Sequence, residues 1–228
     1  MTRVVALDTS SAWGGVALLQ KTESKSGAKV VAEAVFSRDG AHGTQVLMLL
    51  DALMIEAGWS RSSVDLYAAT RGPGTFTGLR VGLGTLRGLG LASCRPCLGI
   101  GTLDAMAEGL GASGADRVPL LDAGRGEVYG ARFDPSSSPP LPRVAPWVGP
   151  PEGALLGGPM PLIFGPGADL HALRLRERGA LVAPREGPVP VAAAAGRLAL
   201  LEWEAGVPDG DGLSPLYLRP AYAELKAW

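Results

Sequence analysis

The chain has 228 residues, of which 46% are hydrophobic and 19% are charged, with a formal net charge of −1 and a pI near 6.1. This composition is typical of a globular protein of one or two domains. It argues against a chain that binds nucleic acid by itself, because phosphate recognition requires a basic face. We find no apolar run long enough for a membrane span and no signal-peptide pattern, so we expect a cytoplasmic protein without membrane contact.

The first half of the chain predicts a sheet that begins with a hairpin. Residues 3–8 are typical of a buried strand that ends at Asp8, and a small-residue turn leads into a return strand over 16–20. The other elements predicted here are, in order, a strand over 29–37, a helix over 42–57, a strand over 64–70, a short strand around 98 and a helix from 102. The 42–57 helix is apolar on more than one side, which suggests a second buried surface in addition to the core.

The segment 70–90 is the most informative part of the sequence. It starts as a glycine-proline turn and continues with helical spacing, and glycines occupy positions 78, 82, 84, 88 and 90. Each glycine inside a helix costs about 1 kcal/mol relative to alanine. So many glycines indicate that another backbone, a neighbouring helix or a phosphate at the helix start comes close. Thr77 is the predicted N-cap of a helix that begins at Gly78.

Two turns could hold a phosphate. The Asp8 turn supplies hydroxyls and backbone amides, and the 71–79 turn precedes a helix start, although it lacks the lysine and spacing of a Walker A loop. The candidate phosphate-binding residues are Asp8, Ser10, Ser11, Gly72 and Gly74. The alternative is an ordinary hairpin turn and an ordinary helix cap.

Around residue 117 the opening pattern starts again. Residues 117–133 form a strand that ends in Asp122, a small-residue turn and a return strand, as residues 4–18 do. This internal similarity predicts two related lobes in an α/β fold, at 1–105 and 106–228, with the last segment packing back on the first lobe. In the second lobe we predict a Pro- and Ser-rich loop over 135–153, a strand into a turn over 162–165, and helices over 168–178 and 191–204.

The two cysteines, Cys94 and Cys97, form a CxxC pair that follows a helix instead of preceding one. A redox pair favours a helix N-terminus, and a zinc site would need two further ligands. The only histidines, His42 and His171, have no ligand-like spacing, and a GxSxG motif is absent. We therefore interpret the pair as structural and predict neither nucleophilic catalysis nor a metal site.

Several motifs resemble a known family from end to end and in the same order. They are Val5–Ser10, the helix led by His42, Arg71–Gly82 with the sequence RGPGTFTGLRVG, Leu121–Tyr129, and Leu216–Pro220. The chain resembles the bacterial tRNA threonylcarbamoyladenosine biosynthesis proteins TsaB, also called YeaZ. The GPGTFTGLRVG block is specific and the other motifs are supportive, whereas the Pro-rich 135–153 segment departs from the pattern.

The resemblance implies two ribonuclease-H-like lobes of the actin-like ATPase (ASKHA) superfamily. It also implies a role in transferring threonylcarbamoyl to the adenosine beside the tRNA anticodon, as the partner of a TsaD-like catalytic paralogue and a TsaE-like ATPase. The chain would form a homodimer when alone and would meet tRNA only through the complex. It would need no cofactor of its own, and the residues leave open whether ATP or ADP binds at the interface of the complex.

The same resemblance predicts that this chain is not the enzyme. The catalytic relative has a His-x-x-x-His metal site, and Thr102 and Met106 occupy those positions here. Neither side chain can replace an imidazole as a ligand of a hard metal. An ATP-dependent kinase or ATPase that uses the Asp8 and Asp122 turns remains an alternative, and so does a metallopeptidase, which the missing histidines disfavour.

We predict that the 42–57 helix and the glycine-rich helix form one surface, shared by the homodimer and the TsaD-like partner. Small residues allow two helices to approach closely. The predicted interface residues are Val46, Leu50, Leu53, Leu79, Gly82, Leu83 and Leu86. The alternative is that both helices belong only to the core.

Overall fold

The computed structural model describes residues 1–22, 27–37, 42–183, 189–210 and 212–219, and no side chain of 42–44 is described. Within these residues the chain forms two five-stranded mixed sheets. The elements around the first sheet are β1 (Thr2–Asp8), β2 (Trp13–Lys21), β3 (Lys29–Ser37), α1 (His42–Glu56), β4 (Leu66–Gly72), α2 (Phe76–Ser93), β5 (Cys97–Gly101) and α3 (Thr102–Leu110). Those around the second are β6 (Arg117–Gly124), β7 (Glu127–Phe133), β8 (Pro142–Gly149), β9 (Leu162–Phe164), α4 (Pro166–Leu170), α5 (Ala172–Arg176), β10 (Leu181–Val182) and α6 (Val191–Glu204).

The two sheets have the same topology. The first has the order β3-β2-β1-β4-β5, and the second read in the same sense is β8-β7-β6-β9-β10. In each sheet the first three strands form an antiparallel meander, and the next two add in parallel beside the first strand. The duplication predicted from the two Asp-terminated hairpins is therefore confirmed. This is the architecture of two ribonuclease-H-like lobes, the fold of the actin-like ATPase superfamily.

The central strands are buried on both faces, which explains why β1 is a continuous apolar run. Val4 and Ala6 face a core shared with α3, α6 and the second sheet, whereas Val5 and Leu7 face α1 and α2. A third cluster lies on the outer face of the second sheet, under α4 and α5. The segment after the second sheet thus returns as α6 and packs on β1, β2, β4 and β5 of the first sheet.

Three element predictions require correction. Helix α2 begins at Phe76 with Thr75 at the N-cap, and not at Gly78 after Thr77. The Thr75 N–H donates to the Ser10 carbonyl at 2.7 Å, which holds Thr75 in an extended conformation, and its own carbonyl accepts the first helical bond, from Leu79 at 3.0 Å. The helix predicted over 168–178 is two short helices that meet at His171.

The predicted 135–153 loop contains strand β8 and the start of a 3₁₀ turn, Pro151–Leu155. Proline is tolerated in β8 because this strand is the edge of its sheet and pairs only with β7. A short 3₁₀ turn, Arg61–Ser63, and strand β10 were not predicted.

Candidate functional site

The turn after β1 is held by a buried carboxylate. Asp8 is 5% exposed, and its Oδ1 accepts hydrogen bonds from the Ser10 N–H at 3.1 Å, the Ser10 hydroxyl at 2.7 Å and the Thr70 hydroxyl at 2.7 Å. Ser11 and Trp13 bond to each other: the Ser11 hydroxyl donates to the Trp13 carbonyl at 3.0 Å, and the Trp13 N–H donates to the Ser11 hydroxyl at 3.2 Å. The Asp8 carboxylate therefore fixes the ends of two strands and the turn between β1 and β2.

The glycine-proline turn before α2 lies directly against this hairpin. A Cβ added to Gly74 would lie 2.4 Å from the Ser10 carbonyl oxygen, so only glycine permits the approach. Gly72 has a φ of +117°, and a Cβ there would lie 2.6 Å from the Leu216 carbonyl oxygen. Asp8, Ser10, Ser11 and Gly74 are thus brought together, whereas Gly72 faces the C-terminal segment. At both positions the absence of a side chain permits a close contact with another segment of the same chain.

A cleft between the lobes lies above this turn. It has a volume of about 80 Å³ and continues into a second cavity of about 350 Å³. Its titratable lining groups are the carboxylates of Asp8, Glu33, Asp122 and Asp169, and none of the described lining residues is a lysine or an arginine. A bare phosphate would meet only like charge from these side chains, so an anion would need a cation with it.

Two carboxyl groups near the cleft are destabilised in their charged form. Burial raises the pKa of Glu33, although a long hydrogen bond from the Ala193 N–H and the charge of Arg197 act in the opposite direction. Burial also raises the pKa of Asp104 in the first turn of α3. Asp122 is exposed and accepts a hydrogen bond from the Gly124 N–H at 2.8 Å.

The first turns of α3 carry the two residues that replace the expected histidines. Thr102 and Met106 are both fully buried and line the cleft, and the Thr102 hydroxyl oxygen has no hydrogen-bond partner. Within the described ranges no group of three or more His, Cys, Asp or Glu side chains could hold a metal ion. Both residues belong to α3, which begins at Thr102.

Comparison with known proteins bears on both the fold and the site. The TsaD family model, described as tRNA N6-adenosine threonylcarbamoyltransferase, matches residues 29–137. The solved structure of YeaZ from Pseudomonas aeruginosa superposes with a TM-score of 0.78 at 27% identity, over 96% of this chain and 100% of that one. The TsaB proteins of Escherichia coli and Haemophilus influenzae are 38% and 34% identical over 94 and 128 residues.

The chain is similar in sequence and in fold to the TsaB (YeaZ) proteins. The match with the E. coli protein covers 40% of this chain and 41% of that protein, and the match with the H. influenzae protein covers 55% and 51%. The chain therefore spans about half or less of the lengths of these two curated TsaB relatives, whereas the structural match with YeaZ extends over nearly the whole chain.

The interface residues predicted from the sequence lie in the core of the chain. Their exposed fractions run from 0% to 8% for the six apolar side chains, and Gly82 is buried; the residues are Val46, Leu50, Leu53, Leu79, Gly82, Leu83 and Leu86. Most of them pack with Val5 and Leu7 of β1. A Cβ on Gly82 would lie 2.3 Å from the Thr9 hydroxyl oxygen. The residue assignment is therefore corrected: these seven positions do not form a surface.

The opposite faces of the same two helices are exposed and apolar. On α1, Met48 and Ile55 are 66% and 80% exposed, and on α2 Leu91 is 82% exposed. Gly84 and Gly88 also lie outward, and a Cβ on either would meet nothing within 4 Å. The apolar residues on more than one side of the 42–57 helix indicated a second surface, but they did not show which of the two faces turns outward.

None of the helices in the described part of the chain has the length and apolar character required to cross a membrane.

Proposed function

We propose that this chain takes part in the biosynthesis of tRNA threonylcarbamoyladenosine as a non-catalytic subunit. It binds a TsaD-like catalytic paralogue through the outward faces of α1 and α2, and the same faces pair two copies of the chain when the paralogue is absent. A TsaE-like ATPase joins the complex, and the chain contacts tRNA only as part of that complex. Similarity to the TsaB proteins supports the pathway, and the α1–α2 surface supports the partner role.

The observation that carries the proposal is the pair of outward glycines, Gly84 and Gly88. Each costs α2 about 1 kcal/mol relative to alanine. No residue that the structure describes lies close enough to require either glycine, since a Cβ would meet none of their atoms within 4 Å. A helix of another chain that packs closely against α2 would require both.

Exposed apolar side chains beside these glycines provide the energy of association. Met48, Ile55 and Leu91 are each more than 60% exposed. Burying a large apolar side chain contributes about 1.5–3 kcal/mol. Three such side chains on adjoining helices form the kind of apolar centre on which interface affinity depends.

The non-catalytic role is supported by the chemistry of the cleft. Thr102 and Met106 replace the imidazoles of the catalytic relative. The Asp8 carboxylate accepts the hydrogen bonds that hold its own turn. The chain would act on its partner by binding one conformation of it preferentially, which increases the population of that conformation.

Ile55→Asp tests the surface. We expect this variant to lose about 2 kcal/mol or more of binding free energy for the TsaD-like paralogue, a decrease in affinity of about thirtyfold. Leu173→Asp is the matched control, because Leu173 is 74% exposed and lies on α5. Calorimetric titration with the paralogue and analytical ultracentrifugation of the chain alone measure the two associations. Equal affinities for both variants would contradict the proposed surface.

Reconstituted tRNA modification tests the non-catalytic role. We expect Asp8→Asn and Asp122→Asn to retain activity wherever the complex forms, because asparagine keeps the size and one acceptor oxygen while it removes the charge. The assay contains the partner proteins, ATP, threonine, bicarbonate and tRNA. A loss of turnover by several orders of magnitude in an intact complex would show that this chain takes part in the chemistry.

ATP turnover by the isolated chain separates this proposal from an ATPase or kinase function. The cleft offers carboxylates without a lysine or arginine in its described lining. We therefore expect no turnover above that of a heat-inactivated sample. Turnover abolished by Asp8→Asn would favour the enzyme.

A further inference from the structure

The second lobe contains a cavity that the proposed function does not use. Its volume is about 320 Å³, within the range of about 300–1,000 Å³ that is usual for small-molecule sites. Its apolar walls are Val118, Val144, Trp147 and Leu156, and Arg132 also lines it. It shares no lining residue with the cleft between the lobes, so a ligand here would be independent of that cleft.

Arg132 is a buried cation with an unsatisfied donor. Its side chain is 2% exposed; Nη1 donates to Asp116 Oδ2 and to the Pro159 carbonyl, both at 2.9 Å, and Nη2 donates to the Ala154 carbonyl at 3.3 Å. The Nε–H has no partner. Buried donors are almost always paired, and an unpaired one is costly. Arginine presents Nε and one Nη as a fork that fits oxygen acceptors.

The charges around Arg132 are already balanced. Asp116 also pairs with Arg143 at 3.1 Å, and Arg143 pairs with Asp134 at 2.8 Å. The group thus contains two cations and two anions. A ligand that carried a net charge would leave that charge uncompensated beside a buried cluster, which is unfavourable. A neutral oxygen acceptor satisfies the Arg132 donor without this cost.

We propose that this cavity binds a small uncharged molecule that joins an aromatic or branched apolar group to a carbonyl oxygen, as an amide or an acyl compound does. The carbonyl oxygen accepts a hydrogen bond from the Arg132 guanidinium. The apolar group packs against Trp147 and Val144. The cavity lies beside β8 in the Pro-rich segment.

Gly149 provides a way to fill the cavity without touching Arg132. It is buried at the end of β8 and lines the cavity, yet a Cβ there would meet nothing within 4 Å. A leucine at this position therefore has room only in the cavity. Gly114 is the matched control, because its Cβ also meets nothing within 4 Å and it lies in the connection between α3 and β6.

The test titrates 2-phenylacetamide into the full chain labelled with ¹⁵N-tryptophan and follows the indole signal of Trp147, assigned with Trp147→Phe. Phenylacetate and 2-phenylethylamine, which have the same size, provide the anionic and cationic comparisons. We expect a saturable shift with the amide and an affinity at least about tenfold lower for both the anion and the cation, because either charge would be left uncompensated beside the buried Arg132–Asp116 pair. We expect Gly149→Leu to weaken amide binding at least tenfold and Gly114→Leu to leave it unchanged.

Arg132→Lys tests the hydrogen bond, because lysine keeps the charge near Asp116 and lacks the Nε–H. We expect it to weaken amide binding about tenfold relative to a wild-type chain with the same melting profile. If this variant does not fold, the amide affinities of Gly149→Leu and Gly114→Leu decide whether the ligand occupies the cavity. Amide binding undiminished in Gly149→Leu, equal affinity for the three probes, or the absence of saturable binding would each overturn the proposal.

Discussion

The inward and outward faces of α2 use glycine for different reasons. On the inner face, a Cβ at Gly82 would lie 2.3 Å from the Thr9 hydroxyl oxygen, and one at Gly90 would lie 2.2 Å from the Cys97 sulfur. On the outer face, a Cβ at Gly84 or Gly88 would meet nothing within 4 Å. Internal packing therefore explains the first pair and leaves the second pair without a use in the monomer. The glycines of the inner face thus serve core packing, and those of the outer face are explained by the proposed contact with a partner helix.

The largest expected effect is on the inner face. We expect Gly82→Leu to lower the free energy of unfolding by about 3 kcal/mol, because the added side chain must displace Thr9, whose hydroxyl donates to the Gly78 carbonyl at 2.7 Å. Gly84→Leu is the control two residues along the same helix, and we expect its monomer stability to stay unchanged or to rise by up to about 1 kcal/mol, because leucine has the higher helix propensity. Urea denaturation measures both. Equal destabilisation by the two variants would remove the distinction between the faces.

Substitutions at the two outer glycines should raise the free energy of unfolding, whereas the substitution at Gly82 lowers it. We expect Gly84→Ala and Gly88→Ala each to raise the free energy of unfolding of the monomer by about 0.5–1 kcal/mol, because alanine has the higher helix propensity. The same variants should weaken association with the TsaD-like paralogue, because each adds a methyl group where another helix is expected. Denaturation at low concentration and titration with the paralogue measure the two. Unchanged association would show that the outer glycines serve no partner.

A third effect concerns the two cysteines beyond α2, one exposed and one buried. Burial, followed by the charge of Asp209, raises the pKa of the Cys97 thiol from 9.0 to about 11. The unfolded thiol therefore loses its proton before the folded one does, so this contribution to stability is complete below pH 9 and is lost as the pH rises to about 11. We expect the free energy of unfolding to fall across this interval.

Iodoacetamide distinguishes the same two thiols directly. At pH 8.5 we expect rapid alkylation of Cys94, which is exposed, and modification of Cys97 only after denaturation. Peptide mass spectrometry gives the extent at each position, with Cys94→Ser as the control. Comparable rates for both thiols in the folded chain would contradict the burial of Cys97.

Sequence patterns predicted elements well where a local rule sufficed. The bounds of β3 and α6 agree with the prediction residue for residue, because polar or turn-forming residues flank each apolar segment. Strand β8 was missed because prolines usually interrupt strands, and only its position at the sheet edge permits them. Edge position is a property of the assembled sheet and not of the segment.

The faces of α1 were harder to predict because both are apolar. Leu50 and Met48 are both apolar, yet Leu50 is 1% exposed and Met48 is 66% exposed. Which stripe turns inward depends on how the helix docks on β2, a contact that no pattern within the helix records. The candidate cleft was predicted in part, since the Asp8 turn and Thr102 share it, while Glu33 came from a strand that carried no motif.

The late position of helix α6 in the sequence affects how the first sheet folds during translation. Its residues follow the whole second sheet, yet they cover one face of the first, where Leu19 lies only 2.4 Å from a Cβ added to Gly196. During synthesis the first sheet therefore leaves the ribosome with that apolar face uncovered, until about 90 further residues have been translated. The first half should consequently be a substrate for chaperones, and a fragment that ends before α6 should aggregate where the full chain folds.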